Sequence, residues 1–587
     1  MKKENKDFQN FWLKKSKNLL WKKAPSKALQ YKKNNYFSWF EDGKLNVADN
    51  CLGHNKNKTA IIFFSKVGKK YEISYGQLNN AVDNFCYYLK KKKLDKIKKV
   101  MIHAPASLES SVCMLAFSKL GIFFSVIFEE LEKPAIYSRF KILKPDLIVS
   151  RSEISQINNK FSFVKKKNRI LKIGNCDKNE KIQNYQLDFN FKKKFKATNF
   201  NGDRNLFCLF TSGSTGLPKG IIHSTAGYLL YAKITCKEKF GINSNSLILT
   251  ASDAGWINGH TYSLFGPLSL GATTIILEKP MSILNKTIFD QIINLGINII
   301  YLPVTLIRIL KAFNPGLKYK NSKIKCLGSM GEPLAPNIAK WFRGVFGNKH
   351  NIVNTYFQTE TGGIVYSASH NDKNLNYEDG SCGKSLNKFI SLKIPKEINQ
   401  IKFELKLKKI WPGCLTKVIN SNKLYQKYWD KDGNFKLFDI GSISNKGNLF
   451  VHGRNDDVLN IRGHRVGSGE VESMILKNNL VKEVSAISVP DELDYEQIVL
   501  FISLKKNFKN TNKLKVEFSN IIKENFGSFA VPKDIFFLSD IPKTRSGKIL
   551  RRILRDIYID PKINIGDIST MLNPNIILEI KKKIIKR

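Results

Sequence analysis

The sequence predicts an α/β protein with a large, multi-subdomain N-terminal domain of layered sheets and helices and a small α+β domain after it. Two observations support this. Apolar runs rich in β-branched residues alternate with segments of helical period, which is typical of layers with largely parallel strands. At 587 residues the chain is also too long for one ordinary core. The predicted strands are 59–64, 99–104, 206–210, 246–252, 272–278 and 297–303.

The sequence pattern changes around 447–466, where a predicted hairpin is followed by a polar turn. A compact βαβ pattern comes next, with strands near 484–489 and 497–504 and a helix near 512–525. We therefore place the domain boundary at Asp456, which leaves a second domain of ordinary size. The predicted domains are 1–455 and 456–587.

The net charge is +48, from 97 Lys and Arg against 49 Asp and Glu. Such an excess by itself indicates nucleic acid or an anionic membrane as a partner. The excess is mostly lysine, however, and is spread along the chain beside abundant Asn and Ile, as an AT-rich coding genome produces. We therefore expect no nucleic-acid partner, and a basic nucleic-acid-binding protein stays a remote alternative that rests on charge alone.

The nine cysteines are far apart and form no C-x-x-C pair, so neither a disulfide framework nor a structural zinc site is expected. The basic N-terminus contains Glu4 and Asp7 and lacks an uninterrupted apolar region, which disfavours a secretory signal. The most apolar stretch, 110–128, is interrupted by Lys119. We expect a cytoplasmic protein with no membrane partner.

A loop suited to polyphosphate lies between two apolar runs, in LFCLFTSGSTGLPKGII at 206–222. Its glycines let the backbone bend close to an anion, its hydroxyls and amides donate hydrogen bonds, and its lysine adds positive charge. It is not a Walker A motif, because Pro218 prevents a helix from starting where that motif needs one. The predicted phosphate-binding residues are Thr211, Ser212, Gly213, Ser214, Thr215, Gly216 and Lys219.

TSGSTGLPKG resembles the signature loop of adenylate-forming enzymes, which include acyl-CoA synthetases, luciferases and peptide-synthetase adenylation domains. Further segments resemble acetyl-CoA synthetases in particular, and the likeness runs from WFEDGKLNVADNCLGH near one end to GDISTMLNP near the other. The N-terminal extension, about 1–55, also resembles that of acetyl-CoA synthetases. The other similar segments are 252–278, 328–333, 354–363, 453–473 and 542–555.

The resemblance implies an AMP-forming acetate–CoA ligase, with acetate, ATP and CoA as small-molecule substrates and Mg²⁺ as cofactor. Joining a carboxylate to the α-phosphate of ATP makes AMP the leaving group, and charge must be neutralised while the two anions approach. A ligase for propionate or another short-chain acid is the nearest alternative. An enzyme that loads a carrier protein fits less well, because the similar segments reach both ends of the chain.

The resemblance also implies positions for the nucleotide. Asp439 accepts hydrogen bonds from the ribose hydroxyls, since a carboxylate offers two oxygens to a diol, and Arg454 joins it. Thr359 and Arg465 hold the α-phosphate, and Glu360 is a magnesium ligand, as suits a hard cation. The adenine slot and its flanking residues are Gly331, Glu332, Pro333, Asn354, Thr355, Tyr356, Phe357 and Gln358.

Lys548 is the catalytic residue that the resemblance implies, bridging the substrate carboxylate and the α-phosphate during adenylation. Asp456 corresponds to a hinge about which the small domain moves, so that Lys548 leaves and Gly463 approaches the CoA thiol. A turn aspartate is the alternative interpretation of Asp456. The resemblance also admits lysine acetylation and deacetylation enzymes as partners acting on Lys548.

The predicted acyl pocket departs from the family pattern. Phe357 stands where acetyl-CoA synthetases have the tryptophan that limits acyl length, which enlarges the pocket, while Met330 and Ile257 refill it. Asn258 replaces the usual threonine and adds an amide near the carboxylate or the CoA arm. Trp256 is assigned to the pocket wall. Neighbouring acids differ by one methylene, about 0.8 kcal/mol of burial, so acetate is a preference over propionate.

The CoA side departs further, because the family's arginine-glycine-glycine-arginine cluster for the 3′-phosphate has no match. We predict that Arg462 and Lys523 supply the missing charge. A cation site is also predicted near Leu476, Asn478 and Val481, where Asn478 replaces the family's histidine.

Overall fold

The computed structural model divides the chain into two compact units. Unit 1 comprises Met1–Lys393, Leu407–Lys436 and Asn445–Leu449, and unit 2 comprises Ile394–Lys406, Leu437–Ser444 and Phe450–Arg587. Residues 455–457 lie outside the described residues, so the boundary at Asp456 stays a prediction. The structure describes residues 6–131, 133–166, 169–175, 182–211, 218–319, 322–348, 350–371, 378–394, 402–454, 458–461, 464–491, 495–505, 511–545, 547–566, 568 and 571–586.

Unit 1 contains an eight-stranded sheet with the order β10-β9-β8-β6-β7-β12-β13-β22. The strands from β10 to β12 run parallel, and β13 turns back antiparallel to β12. The strands are β6 (Lys99–His103), β7 (Phe123–Ile127), β8 (Leu147–Ser150), β9 (Ile170–Ile173), β10 (Gln183–Tyr185), β12 (Asn205–Thr211), β13 (Lys219–Ser224) and β22 (Lys417–Val418).

Unit 1 also contains a nine-stranded sheet with the order β20-β19-β18-β17-β16-β14-β15-β4-β5, parallel from β18 to β4. The strands are β4 (Thr59–Phe64), β5 (Lys70–Ser74), β14 (Leu247–Thr250), β15 (Thr273–Leu277), β16 (Ile299–Pro303), β17 (Cys326–Met330), β18 (Ile352–Tyr356), β19 (Tyr366–Ser367) and β20 (Lys384–Ser385). Two short pairs join β1 (Leu29–Tyr31) to β2 (Phe37–Trp39) and β3 (Lys44–Leu45) to β11 (Phe200–Asn201).

Apolar cores cover both faces of this second sheet. Ile300 points to one core together with Leu306 and Phe342, while its neighbour Tyr301 points to the other core together with Phe240. Successive residues of a strand face opposite sides, so a strand buried on both faces is apolar at most of its positions. This explains why the strands of this sheet are visible in the sequence as continuous apolar runs.

The helices of unit 1 connect the strands and begin and end at residues with clear local causes. Ser107 and Ser110 form a capping box at the start of α4, and Gly121, with φ +66, ends that helix in the left-handed region. The helices are α1 (Lys6–Ser16), α2 (Val47–Leu52), α3 (Tyr75–Lys91), α4 (Leu108–Leu120), α5 (Lys133–Leu143), α6 (Ile154–Lys160), α7 (Thr225–Phe240), α8 (Gly266–Ser269), α9 (Lys286–Asn294), α10 (Val304–Phe313), α11 (Pro336–Val345) and α12 (Asn422–Gln426).

Unit 2 is built around a three-stranded sheet in which β27 and β28 are antiparallel. Strands β28 and β29 are parallel, and a helix connects them along the chain. The α/β class is confirmed, and the predicted C-terminal helix and strands are observed with longer bounds. The elements that lie wholly or mostly in unit 2 are β21 (Phe403–Leu407), β23 (Phe435–Ile443), β24 (Leu449–Arg454), β25 (Val458–Ile461), β26 (His464–Gly467), α13 (Ser468–Ile475), β27 (Val481–Asp491), β28 (Tyr495–Leu504), α14 (Thr511–Phe526), β29 (Asp534–Leu538), α15 (Arg551–Ile559) and α16 (Ile576–Ile585).

Across the part of the chain that the structure describes, no helix combines the length and the apolar character needed to cross a membrane. The cysteines described, eight in number, are all free and buried.

Candidate active site

The predicted phosphate loop closes the hairpin between β12 and β13. Thr211 pairs with Lys219 as the last pair before the loop, so both predicted residues stand at the loop end of the hairpin. The Oγ1 of Thr211 is buried and has no hydrogen-bond partner among the described residues. A buried hydroxyl without a partner is costly, so this end of the hairpin can readily accept a polar ligand. The predicted residues 212–216 lie outside the described residues.

Tyr428 links this hairpin to the predicted magnesium ligand. Its hydroxyl donates a hydrogen bond to Oε1 of Glu360 over 2.7 Å, and Nζ of Lys219 lies 5.9 Å from the centre of its ring. The ring is stacked on Phe435, with centroids 5.6 Å apart and planes 10° apart. Lys219 and Glu360 are therefore neighbours of one immobilised aromatic side chain.

The turn that carries Thr359 and Glu360, Thr359–Thr361, is fastened to β13. The Nε2 of His223 lies 2.8 Å from the carbonyl oxygen of Thr359, and because a carbonyl only accepts, this nitrogen carries the proton. Burial lowers the pKa of His223 to about 4, so the imidazole is neutral at physiological pH. The turn is also closed by Gln358, whose N–H donates to Oγ1 of Thr361 over 2.9 Å.

The predicted adenine slot lies at the carboxyl ends of β17 and β18. Gly331 follows β17 with φ +89, a left-handed conformation that glycine adopts without strain. Glu332 forms an ion pair with Arg308. The side chains of Asn354 and Thr355 bond the carbonyl oxygens of Ser381 and Ser329, over 3.0 and 2.8 Å respectively.

These contacts engage Asn354 and Thr355 within the protein, which favours a nucleotide bound through the backbone of this segment. Pro333 is exposed beside Glu332, and Tyr356 is buried at the end of β18. The hydroxyl of Tyr356 accepts a long hydrogen bond from Nε2 of Gln358, over 3.5 Å.

Three residues of the predicted acyl pocket lie together. The Nδ2 of Asn258 lies 2.7 Å from Sδ of Met330, and Met330 shares an apolar cluster with Phe357. Phe357 meets Tyr262 edge to face, with ring centroids 5.6 Å apart. Directly after Asn258 comes the π-helix Gly259–Phe265, a rare element that is frequent at functional sites.

Trp256 and Ile257 have different surroundings. Trp256 packs on Phe128, with ring centroids 5.2 Å apart, and Ile257 is 4% exposed. Trp256 thus joins the turn after β14 to the end of β7 in the other sheet of unit 1. His260 is fully buried against Phe207.

Within unit 2, Lys548 is exposed on a tight turn. The N–H of Thr544 donates to the carbonyl oxygen of Lys548 over 2.8 Å, and Gly547, with φ +85, makes the reversal. Beneath the turn, Lys543 forms ion pairs with Asp540, 2.9 Å away, and with Glu483. The backbone around Lys548 is therefore held in place while its side chain extends into solvent.

Three family profiles match successive parts of the chain. The family profile described as AMP-binding enzyme matches residues 48–398, and that of its C-terminal domain matches 470–548. A third, the acetyl-coenzyme A synthetase N-terminus, matches 1–51. The chain is 33% identical over 628 residues to "Acetyl-coenzyme A synthetase" of Herminiimonas arsenicoxydans, which covers 98% of this chain and 94% of that protein. The chain belongs to the acetyl-coenzyme A synthetases among the AMP-binding enzymes.

Other members of the family are similarly close. The acetyl-coenzyme A synthetases of Helicobacter pylori (strain P12) and Cupriavidus necator are each 32% identical over 621 residues, covering 98% of this chain and 93% and 94% of theirs. Among solved structures, the acetoacetyl-CoA synthetase from Streptomyces lividans matches with a TM-score of 0.85 at 16% identity, over 99% of this chain and 93% of that one. This last likeness concerns the fold alone.

The remaining residues that the family resemblance suggested lie in unit 2. Asp439 is buried in β23, and Lys523 is exposed on α14. Arg454 and Arg465 lie in β24 and β26, but their side chains are outside the described part. Asp456, Arg462 and Gly463 are outside it altogether, so their roles stay predictions.

The predicted cation site of this family member falls on the segment after α13. The backbone carbonyl of Asn478 accepts from the N–H of Val481 over 3.1 Å, and Leu476 donates its N–H to Glu472 over 2.9 Å. The Nδ2 of Asn478 bonds Glu517 over 2.7 Å. The cation site stays a prediction.

Two residues of the site were missed by sequence reasoning. Tyr428 lies outside the short motifs by which the sequence was found to resemble the family. Only its hydrogen bond to Glu360, 68 residues away, identifies it. His223 follows the phosphate loop directly, so its position beside a predicted site was a usable signal.

Proposed function

We propose that the protein is an AMP-forming acetate–CoA ligase, which converts acetate, ATP and CoA to acetyl-CoA, AMP and pyrophosphate through an acetyl-adenylate. The observation that carries this proposal is the gathering of Lys219 and Glu360 around Tyr428, in a chain that aligns along nearly its whole length with acetyl-coenzyme A synthetases. A lysine and a carboxylate beside a loop rich in hydroxyls suit a nucleoside triphosphate with its counter-ion.

In the first half-reaction an oxygen of acetate bonds to the α-phosphorus, and the bond to pyrophosphate breaks. Lys219 and the amides of its loop balance the charge of the β- and γ-phosphates, and Lys548 balances the charge shared by the carboxylate and the α-phosphate. Arg465 and Thr359 orient that phosphate. Arg454 and Asp439 hold the ribose.

We propose that magnesium is held by Glu360 and by phosphate oxygens. In the described part of the chain no cluster of three or more His, Cys, Asp or Glu side chains could hold a metal ion. One protein carboxylate combined with substrate phosphates is the arrangement that Mg²⁺ commonly adopts. A bound Mg²⁺ would supply positive charge to the phosphates, and Tyr428 orients the carboxylate of Glu360 that would hold it.

In the second half-reaction the CoA thiol attacks the acyl carbon and AMP departs. We propose that Asp456 is the hinge for the change between the two half-reactions, that Gly463 then faces the thiol, and that Arg462 and Lys523 bind the 3′-phosphate. Acetate is the proposed acid, because Met330 and Asn258 fill space beside Phe357. A cytoplasmic location and acetylation of Lys548 belong to the same proposal.

ATP–pyrophosphate exchange with acetate, propionate, butyrate and no acid tests the function. We expect exchange to depend on added acid and kcat/KM to be highest for acetate. Absence of exchange with every acid contradicts the ligase assignment. A higher kcat/KM for propionate contradicts only the choice of acetate and supports the enlarged pocket that Phe357 creates.

A further inference from the structure

Tyr262 lies in the middle of the π-helix Gly259–Phe265 and is fully buried. The residue just before this helix is Asn258 of the predicted acyl pocket, whose Nδ2 lies 2.7 Å from Sδ of Met330. Tyr262 belongs to the same apolar cluster as Met330. The beginning and the middle of the π-helix therefore adjoin the same predicted pocket.

The hydroxyl group of Tyr262 is held by two hydrogen bonds. It accepts the N–H of Ile364 over 2.7 Å and donates to Oγ1 of Thr235 over 3.2 Å. Thr235 donates in turn to the carbonyl oxygen of Tyr231 over 2.8 Å, and the hydroxyl of Tyr231 donates to the carbonyl oxygen of Ile364 over 2.6 Å. All four residues are fully buried. A satisfied polar network in the interior is rigid, so it fixes the Tyr262 side chain at its hydroxyl end.

The ring of Tyr262 is held by aromatic neighbours and supports a further one. Tyr301 and Phe240 pack on it edge to face, with ring centroids 5.4 and 5.8 Å away. Phe357 packs on it as well, with centroids 5.6 Å apart and planes 75° apart. These separations and angles are those of favourable aromatic pairs. The ring that contacts Phe357 is therefore fixed both by packing and by hydrogen bonds.

Phe357 itself is less constrained than the residue on which it packs. It follows the end of β18 and is only partly buried, whereas Tyr262 and Met330 are fully buried. Within the described residues, Tyr262 is the aromatic side chain that contacts it. A pocket distinguishes acids that differ by one methylene only by about 10–200-fold, and only if its wall does not yield. The position of a partly exposed wall residue therefore depends on the rigid ring behind it.

We propose that Tyr262 positions Phe357 and thereby sets the length of the acid that the site accepts, a role that rests on the proposed ligase function. Tyr262 is a positioning residue, because it acts through Phe357. Its hydroxyl is anchored to the backbone of Ile364, and its ring keeps the Phe357 ring in place. When the ring or its anchor is removed, Phe357 moves into the released space, the pocket lengthens, and the longer acid gains relative to the shorter one.

Tyr262→Leu and Tyr262→Phe in the full-length protein test the proposal by ATP–pyrophosphate exchange with acetate and propionate. The leucine variant loses the ring and the hydroxyl, and its kcat/KM for propionate relative to acetate should rise about tenfold. The phenylalanine variant keeps the ring and loses only the hydroxyl, so the ratio should rise about threefold. A purely structural role lowers the amount of active protein and affects both acids equally, which leaves the ratio unchanged.

Phe240→Leu is the matched control. Phe240 is 1% exposed and packs on Tyr262 and Tyr301, so the variant loses an equally buried ring from the same cluster while the ring that contacts Phe357 stays. Its ratio should stay within about twofold of wild type.

An unchanged ratio in both Tyr262 variants would overturn the proposal, as would an equal rise in Phe240→Leu. If circular dichroism shows that Tyr262→Leu does not fold, Tyr262→Phe decides, and an unchanged ratio there overturns the proposal. Absence of exchange in the wild-type protein with every acid contradicts the ligase function itself. Normal exchange in wild type with an unchanged ratio in the variants contradicts only the role of Tyr262, so the two failures are distinguishable.

Discussion

The two units present their candidate charged groups in opposite ways. In unit 1, Glu360 is fixed by the hydroxyl of Tyr428, whose ring is stacked on Phe435. In unit 2, Lys548 is exposed, and order is confined to the backbone of its turn and to the ion pairs of Lys543 below it. A rigid site lowers the cost of orienting ATP, whereas a long exposed lysine can reach a charge that appears only during reaction.

The largest effect should come from Lys548→Ala, the exposed side of this contrast. Exchange of pyrophosphate into ATP should fall about 10²–10³-fold, since one positive charge is lost where negative charge develops. Thioester formation from supplied acetyl-adenylate should be largely retained. Arg552→Ala is the control, because Arg552 is 55% exposed on the next helix and pairs only loosely with Asp556, 3.6 Å away. Equal loss of both half-reactions in Lys548→Ala would contradict its role.

Lys543→Ala tests whether the ion pairs of Lys543 stabilise the turn that carries Lys548. The change leaves two carboxylates, Glu483 and Asp540, without their shared cation and should destabilise the turn by about 2 kcal/mol. Amide hydrogen exchange at Thr544 should then become about 30-fold faster, measured by mass spectrometry. Lys482→Ala is the control, because Lys482 is 52% exposed and 3.8 Å from Asp540. Unchanged exchange would show that the turn is stable without the ion pairs.

Tyr428→Phe tests whether the hydroxyl of Tyr428 holds Glu360 in position in unit 1. Losing the hydroxyl that orients Glu360, the proposed metal ligand, should raise the Mg²⁺ concentration for half-maximal exchange about tenfold. Binding of Mn²⁺ to the ATP complex, followed by electron paramagnetic resonance, should weaken in parallel. Tyr425→Phe removes a hydroxyl that bonds Asn35, over 2.8 Å, away from Glu360. Equal metal dependence in the two variants would contradict the orienting role.

The smallest effect is expected for Arg462→Ala, which removes one of the two positive charges proposed to bind the 3′-phosphate of CoA. The KM for CoA should rise about fivefold relative to that for dephospho-CoA, as suits the loss of one ion pair. Lys523→Ala should act in the same direction. Lys515, also exposed on α14, provides the control. An unchanged ratio in Arg462→Ala would show that the 3′-phosphate is bound elsewhere.

The elements of the fold were largely predictable from sequence because their causes are local. The strand Thr59–Phe64 coincides with its prediction, and the helix predicted near 512–525 is Thr511–Phe526. Strands that are buried on both faces are apolar at most positions, and such a run can be recognised in the sequence without knowing which strands lie beside it. The gathering of Asn258, Met330 and Phe357 was also expected, because the family resemblance assigned all three to one pocket.

Amino-acid order alone therefore determined the fold class, the hairpin that closes on Lys219 and the candidate charged residues Glu360 and Lys548. Only the tertiary structure decided what surrounds them. Tyr428 reaches Glu360 across 68 residues, and Trp256 packs on Phe128 from the other sheet of unit 1. Distances and burial set the strength of electrostatic interactions, and neither can be obtained from spacing along the chain.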